Sequence, residues 1–272
     1  MEIECRIESH TLISTFLQRK VIVDFYFPPG ENNLNEGDLL LINDGQDLIT
    51  MNFESILNKL YQQDSITPLF CVGIHCGNDR KNEYGTANVL NDKGLGTKAK
   101  LYSRFVLQEL IPVARKVFRI SSFKSKSFCG FSLGGLSALD IVWNHAQEFS
   151  KAGAFSGSFW WRSVSQDDPG FDENKHRIMQ NEIRNGNFHP GLQFFFETGT
   201  MDETADRNNN GIIDSIDDTR SLINELVNKG YVTGKDIGYL EVKNGKHDVA
   251  TWGQAFPEFL KWGWGSSTRR QE

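Results

Sequence analysis

The sequence predicts an α/β fold with a mostly parallel central sheet and helices on both of its faces. Three observations lead there. Short apolar runs at 38–42 and 67–75 have the length and composition of strands buried on both faces, and further strand-like runs stand at 124–129 (apolar only at its end), 151–156, 192–197 and 236–242. Longer segments with a 3.6-residue apolar period, at 52–62, 97–118, 136–145, 216–229 and 251–262, lie between them. The two kinds alternate along the chain, which is how parallel strands with helical crossovers are written.

Taken in order, the N-terminal part reads as antiparallel β. Ile3, Cys5 and Ile7 alternate with polar residues, and Lys20–Phe27 is rich in β-branched and aromatic residues until Pro28-Pro29-Gly30 stops it. The run at 38–42 ends in Asn43-Asp44-Gly45-Gln46-Asp47, and Asn52 is the expected N-cap of the helix that follows. Residues 76–96 have no clear period and read as a long surface loop. The 97–118 helix should kink at Pro112, which lacks an N–H and clashes with the preceding turn. Residues 157–190 read as an irregular insertion near the functional end of the sheet. With no linker, internal repeat or low-complexity tract, residues 1–272 read as one domain.

Bulk properties narrow the function classes. A net charge of −6 argues against nucleic acid and anionic membranes as partners. No run reaches the ~18–20 apolar residues of a membrane span. The start, Met1-Glu2-Ile3-Glu4-Cys5, lacks the pattern of a signal peptide, so a cytoplasmic protein is expected. Cys5, Cys71, Cys76 and Cys129 have no metal-ligand spacing and read as small buried hydrophobes in a reducing compartment.

The stretch Gly130-Phe131-Ser132-Leu133-Gly134-Gly135 stands between a strand and a helix, the context that the nucleophile-elbow pattern G-x-S-x-G requires. So tight a turn strains the serine backbone and tolerates little more than glycine around it. A serine there needs an imidazole to accept its proton and a carboxylate to orient that imidazole. In an open α/β sheet the partners should sit in loops at the carboxyl ends of later strands. Of six histidines, His10, His75, His145, His176 and His189 fall elsewhere in the series; only His247 lies in the loop after the last strand. Candidate acids cluster after the preceding strand: Asp202, with Glu197 and Asp206 as alternatives.

With these motifs in order, the sequence resembles the branch of the α/β-hydrolases that holds enterochelin esterases, feruloyl and acetylxylan esterases and S-formylglutathione hydrolase (esterase D). The resemblance covers most of the chain. It rests on Asn43 to Asp47, where Asn43 replaces the family's usual histidine, and on Val72-Gly73-Ile74 followed by Arg80, Glu83 and Tyr84. Gly130 to Gly135, Ser156 to Trp161, Gly199 to Asp202, and His247-Asp248 with Trp252 complete it. It implies an α/β-hydrolase fold, with Ser132 as nucleophile, Asp202 as orienting acid and His247 as general base. The oxyanion hole should combine the backbone N–H of Leu133 with one from Gly45 or Gln46, Gln46 being favoured. Trp160 and Trp161, just past a strand end, can wall an acyl or alcohol pocket, and Arg80 can meet a carboxylate or phenol.

One further motif lies at Asp206–Asp217. Asp206, Asn208, Asn210, Ile212, Asp214 and Asp217 occupy positions 1, 3, 5, 7, 9 and 12 of an EF-hand-type calcium loop, with Gly211 at position 6. The same residues also suit a polar turn before a helix. A calcium ion there would be structural, bracing the segment that carries Asp202, and catalysis would need no cofactor. The expectation is a serine carboxylic-ester hydrolase acting through an acyl-enzyme on a small-molecule ester of acyl, feruloyl, acetyl-sugar or siderophore type. A thioesterase of the S-formylglutathione hydrolase type and a catalytically silent carbohydrate- or siderophore-binding module are the alternatives.

Overall fold

Leu39 to Ile42 and Leu69 to Val72 are wholly shielded from solvent, as continuous apolar runs must be when helices cover both faces of a sheet. They form the middle of an eight-stranded sheet in a computed structural model that describes residues 4–30 and 36–266. The strands are β1 (Arg6–Ser14), β2 (Arg19–Phe27), β3 (Glu36–Asn43), β4 (Leu69–Ile74), β5 (Ser122–Phe131), β6 (Lys151–Phe155), β7 (Gln193–Met201) and β8 (Ile237–Lys246). Their order is β1-β2-β4-β3-β5-β6-β7-β8. The β1–β2 and β2–β4 pairs are antiparallel and all later pairs are parallel. Ile3 lies outside the described residues, and Cys5 precedes the first strand rather than belonging to it.

The helices are α1 (Phe53–Gln62), α2 (Arg80–Glu83), α3 (Ala99–Arg104), α4 (Ile111–Phe118), α5 (Leu133–Asn144), α6 (Glu173–His176), α7 (Ile178–Asn185), α8 (Asp214–Lys229) and α9 (Val249–Trp264). On one face, Tyr102, Leu136, Met179 and Leu222 of α3, α5, α7 and α8 share one apolar cluster. On the other, Phe53 and Leu57 of α1 meet Phe256 and Leu260 of α9 in a second. Strand β7 feeds both: Phe194 and Phe196 pack into the first cluster and Phe195 into the second, so period-2 alternation accounts for a run of three aromatics.

Three local expectations are corrected. Asn52 adopts a left-handed conformation (φ 57°) and makes no side-chain capping bond to α1. The periodic stretch at 97–118 is not one kinked α-helix: a π-helical segment, Phe105–Leu110, separates α3 from α4. Pro112 then falls in the first turn of α4, directly after the π-helical segment. The insertion at 157–190 contains α6 and α7, and α7 buries Ile178, Met179 and Ile183. Its apolar spacing is short and interrupted by polar residues, so the period is weak in sequence.

Candidate active site

The turn from β5 into α5 puts Ser132 at φ 54° and ψ −121°, a conformation costing on the order of 1–3 kcal/mol in a residue with a Cβ. Close backbone approach fixes its neighbours as glycine. A Cβ on Gly130 would stand 2.5 Å from the backbone of Gly134, and one on Gly134 would stand 2.5 Å from Asp44 Oδ2. The Ser132 N–H donates to Phe155 O (2.8 Å) and its carbonyl accepts from the Ser158 N–H (3.1 Å), locking the elbow to the end of β6. Ser132 Oγ lies 3.4 Å from Ser158 Oγ.

The loop after β3 packs against this elbow. Asp44 takes a left-handed conformation (φ 60°) that starts a single 3₁₀ turn over Gly45–Asp47. Asn43 is fully buried; its Nδ2 donates to Gly134 O (2.8 Å) and its Oδ1 accepts from Tyr102 Oη (2.5 Å). The amide thus ties β3 to the first turn of α5. Gln46 Oε1 accepts from the Cys76 N–H (3.1 Å), anchoring the turn to the segment after β4. Among the described residues, the N–H groups of Gly45, Gln46 and Leu133 have no acceptor within the chain. Those are the donors an oxyanion hole needs, two from the 3₁₀ turn and one at the N-terminus of α5.

Asp202 lies in the turn at the end of β7 and His247 directly after β8, so Ser132, Asp202 and His247 all gather at the carboxyl edge of the sheet. Their surroundings interlock. His247 packs edge-on against Trp252 (centroids 5.4 Å apart), Trp252 stacks on Phe131, and Trp252 Nε1 donates to Ser156 Oγ (2.9 Å). Burial raises the Asp202 pKa above the usual carboxylate value, and the facing Ser156 hydroxyl and the His247 charge offset only part of that rise. Neither Asp202 oxygen completes a hydrogen bond among the described residues, and none joins Ser132 to His247. Such bonds commonly close only when substrate is bound. Burial lowers the His247 pKa, the Asp202 charge opposes that, and Arg80 adds to it. The imidazole is therefore neutral near pH 7, the form a general base requires.

Glu197, the alternative acid, belongs to β7 and is fully buried, with no hydrogen-bond partner for either carboxyl oxygen among the described residues. Burial and the neighbouring Asp202 push its pKa from 4.5 up to about 8. It is a neutral acid at pH 7 and does not figure among the charges felt by His247, whereas Asp202 does. A pKa raised in the folded chain means stability that is full below about 4.5 and lost as pH climbs towards 8, by at most about 1.4 kcal/mol per pH unit. Glu197→Gln keeps the shape of the neutral acid without the titration. Chemical denaturation should find it close to wild type at pH 4.5 and more stable by about 3–4 kcal/mol at pH 8. An equal difference at both pH values would contradict the assignment.

A cavity of about 300 Å³ opens at Ser132, lined also by Leu133, Ser158, Trp160, Trp161, Arg80, Lys81, Asn91, Lys93 and Leu95. Both tryptophans reach it, but differently. Trp160 is 41% exposed and forms a wall, whereas Trp161 is a buried floor whose Nε1 has no hydrogen-bond partner among the described residues. Arg80 lines the cavity but is also committed within the chain. Its Nε and one Nη grip Asp44 as a fork (both 2.7 Å), and it also donates to Phe131 O (3.3 Å). A guanidinium so committed positions the 3₁₀ turn after β3 and has little left for a substrate carboxylate. Sequence reasoning missed Ser158, Lys81 and Lys93. The serine lies inside a recognised segment, but neither lysine falls on any period or motif.

The 206–217 loop brings Asp206, Asn208, Asn210 and Asp217 together. Asp217 Oδ2 accepts from Asn208 Nδ2 (3.0 Å) and Asn210 Nδ2 (2.7 Å), and the Asp206 carboxylate accepts from the N–H groups of Asn210 (3.1 Å) and Gly211 (2.9 Å). The Ile212 N–H is turned onto Asn210 Oδ1 (2.8 Å). Asp214 is drawn aside, accepting from the Arg207 N–H at 2.9 Å with the Arg207 guanidinium 3.4 Å away. Among the described residues no three His, Cys, Asp or Glu side chains cluster so as to hold a metal ion.

Comparison with known proteins agrees with this architecture. The model of a protein family described as "Putative esterase" matches residues 14–262. Among solved structures, the enterobactin esterase of Shigella flexneri, determined in the presence of enterobactin, superposes with a TM-score of 0.73 at 19% identity. That match covers 94% of this chain and 58% of the other, so the chain spans little more than half of that protein. A ferulic acid esterase gives 0.67 at 15% identity, covering 95% of this chain and 97% of that one. The siderophore hydrolase EstB of Aspergillus nidulans gives 0.64 at 18% identity, covering 94% of each. A search of curated protein sequences gives no match.

Proposed function

Given that the chain belongs to the esterase family, we propose that it is a serine carboxylic-ester hydrolase working through an acyl-enzyme. The observation that carries this reading is Ser132 itself, strained on a turn that close packing restricts, lining a cavity together with Leu133, whose N–H is unused, while the unused N–H of Gln46 belongs to the turn packed against the elbow. In this reading neutral His247 takes the Ser132 proton as Oγ attacks the ester carbonyl. The oxyanion rests on the Leu133 and Gln46 N–H groups, and Asp202 orients the imidazole and balances its charge. The imidazolium then gives its proton to the departing alkoxide, and water repeats the sequence on the acyl-enzyme. The tryptophan wall suits an aromatic or small acyl ester, in keeping with neighbours named for enterobactin, ferulic acid and siderophores. Hydrolysis of p-nitrophenyl acetate and butyrate, measured beside a glutathione thioester, tests the reading. Turnover of the oxygen esters is expected; turnover of the thioester alone would favour the thioesterase alternative. A folded chain inert towards all of them would leave the binding module.

The calcium reading of 206–217 belongs to the same proposal as a structural element. With Asp214 neutralised by Arg207, Asp206 and Asp217 are the carboxylates left to face an ion, helped by Asn208 and Asn210. So low a ligand charge points to the weak, ~10⁻⁴–10⁻³ M class of site. Calcium at ten times such a Kd adds about 1.4 kcal/mol, so 5–10 mM should raise Tm by roughly 2–5 °C. Asp206→Ala should remove the rise, and an unchanged wild-type Tm would discard the ion.

A further inference from the structure

Resting on the ester-hydrolase reading, we propose that Lys81 and Lys93 select esters that carry a negative charge. The cavity that opens at Ser132 has three cationic residues in its lining and no acidic one. The charge of Arg80 is cancelled by Asp44, a buried carboxylate held at 2.7 Å. Lys81 and Lys93 are different: both are exposed, and neither forms an ion pair among the described residues. The carboxylates nearest them in sequence are engaged elsewhere or turned away. Asp79 pairs with Lys98 (2.7 Å), Glu83 pairs with Arg19 (2.6 Å), and Asp92 is not part of the lining.

Both lysines stand on fixed backbone. Lys81 is carried by α2, whose following residue Asn82 accepts a bond from the Lys98 N–H (2.8 Å). Lys93 sits in a tight turn around buried Asn91, whose Oδ1 accepts from the N–H groups of Lys93 (3.0 Å) and Leu95 (2.8 Å). The Asp92 N–H ties the same turn to Arg162 O (2.8 Å). Two lysines thus stand on fixed backbone in the lining of an apolar-walled cavity, on a chain whose net charge is −6. A substrate anion there gains local attraction that a neutral ester of the same size lacks, and added salt screens that gain. The class indicated is an ester bearing a carboxylate or an equivalent anion on its acyl or its alcohol side.

Three chromogenic esters test this: 4-nitrophenyl butyrate (neutral), 4-nitrophenyl hemiglutarate (charged acyl side) and 3-carboxy-4-nitrophenyl butyrate (charged alcohol side). Their intrinsic reactivities differ, so the readout is kcat/KM of each variant relative to wild type, ester by ester. Lys81→Gln and Lys93→Gln should each lower kcat/KM about three- to fivefold on at least one charged ester, and the double variant about tenfold. The neutral ester should stay within twofold of wild type, as should all three esters with the distant control Lys116→Gln. The effect on the charged ester should shrink towards unity in 0.5 M salt. Equal losses on charged and neutral esters, or no loss in the double variant, would overturn the inference while leaving the hydrolase intact. Absence of turnover with all three esters in folded wild type would remove the hydrolase reading, and this inference with it.

Discussion

Ser132→Ala is expected to lower kcat on p-nitrophenyl butyrate by about 10⁴–10⁶-fold while leaving the fold intact. In the proposed mechanism the hydroxyl oxygen forms the covalent bond, and no other hydroxyl among the described residues is mounted on the elbow, so the loss should be large. Ser158 Oγ lies 3.4 Å away but follows β6, outside the first turn of α5 where the dipole and the Leu133 N–H act. His247→Ala should cost a similar factor, and Asp202→Asn about 10⁴-fold through loss of the imidazole's orientation and counter-charge. The combined Ser132→Ala/His247→Ala variant should be little worse than either alone, since the residues act as a unit. Steady-state kinetics on variants whose circular dichroism and Tm match wild type decide the matter. Retained activity in Ser132→Ala would end the triad assignment. An Asp202→Asn loss below tenfold would return Glu197 to consideration. Because burial depresses the His247 pKa, the acid limb of the kcat/KM profile should fall below pH 6.5.

Arg80→Ala should destabilise the folded chain by about 3–5 kcal/mol, roughly 6–15 °C in Tm. The reason is asymmetry: the Asp44 side chain is only 2% exposed, and removing Arg80 leaves that carboxylate buried beside Gly134 without a counter-charge. Arg80→Lys should recover only part of the loss, because an ammonium cannot reproduce two parallel bonds of 2.7 Å to the two Asp44 oxygens. Asp44→Asn/Arg80→Met, which removes both charges, should be less destabilised than Arg80→Ala. Since Asp44 begins the 3₁₀ turn that carries Gly45 and Gln46, kcat should fall in Arg80→Ala even at temperatures where it stays folded. Thermal denaturation and kinetics at 15 °C separate the two effects. A Tm within 2 °C of wild type would show that the pair is dispensable.

The catalytic candidates and the alternation of strands and helices were legible in the sequence because both are written locally. Elbow glycines mark a turn whose backbone admits nothing larger, apolar runs mark strands buried on two faces, and Ser132, Asp202 and His247 each follow such a run. Period and spacing failed where distant segments supply the partner. Pro112 looked like a kink until a π-helical segment placed it in the first turn of α4. Arg80 looked free for substrate, but its fork closes on Asp44, 36 residues away, and on Phe131 O, 51 residues away. Asn43 looked like a departure, yet its amide joins Gly134 to Tyr102 across 91 and 59 residues. Lys81 and Lys93 acquire meaning only beside Ser132, in a cavity no single segment encloses. The sequence by itself determined the α/β alternation, the strained serine and the order of its partners, since these depend on steric limits and hydrophobic period within a few residues. Only the tertiary structure decided which charges are spent in the scaffold and which remain for a substrate, because pairing and desolvation depend on what long-range folding brings within about 4 Å.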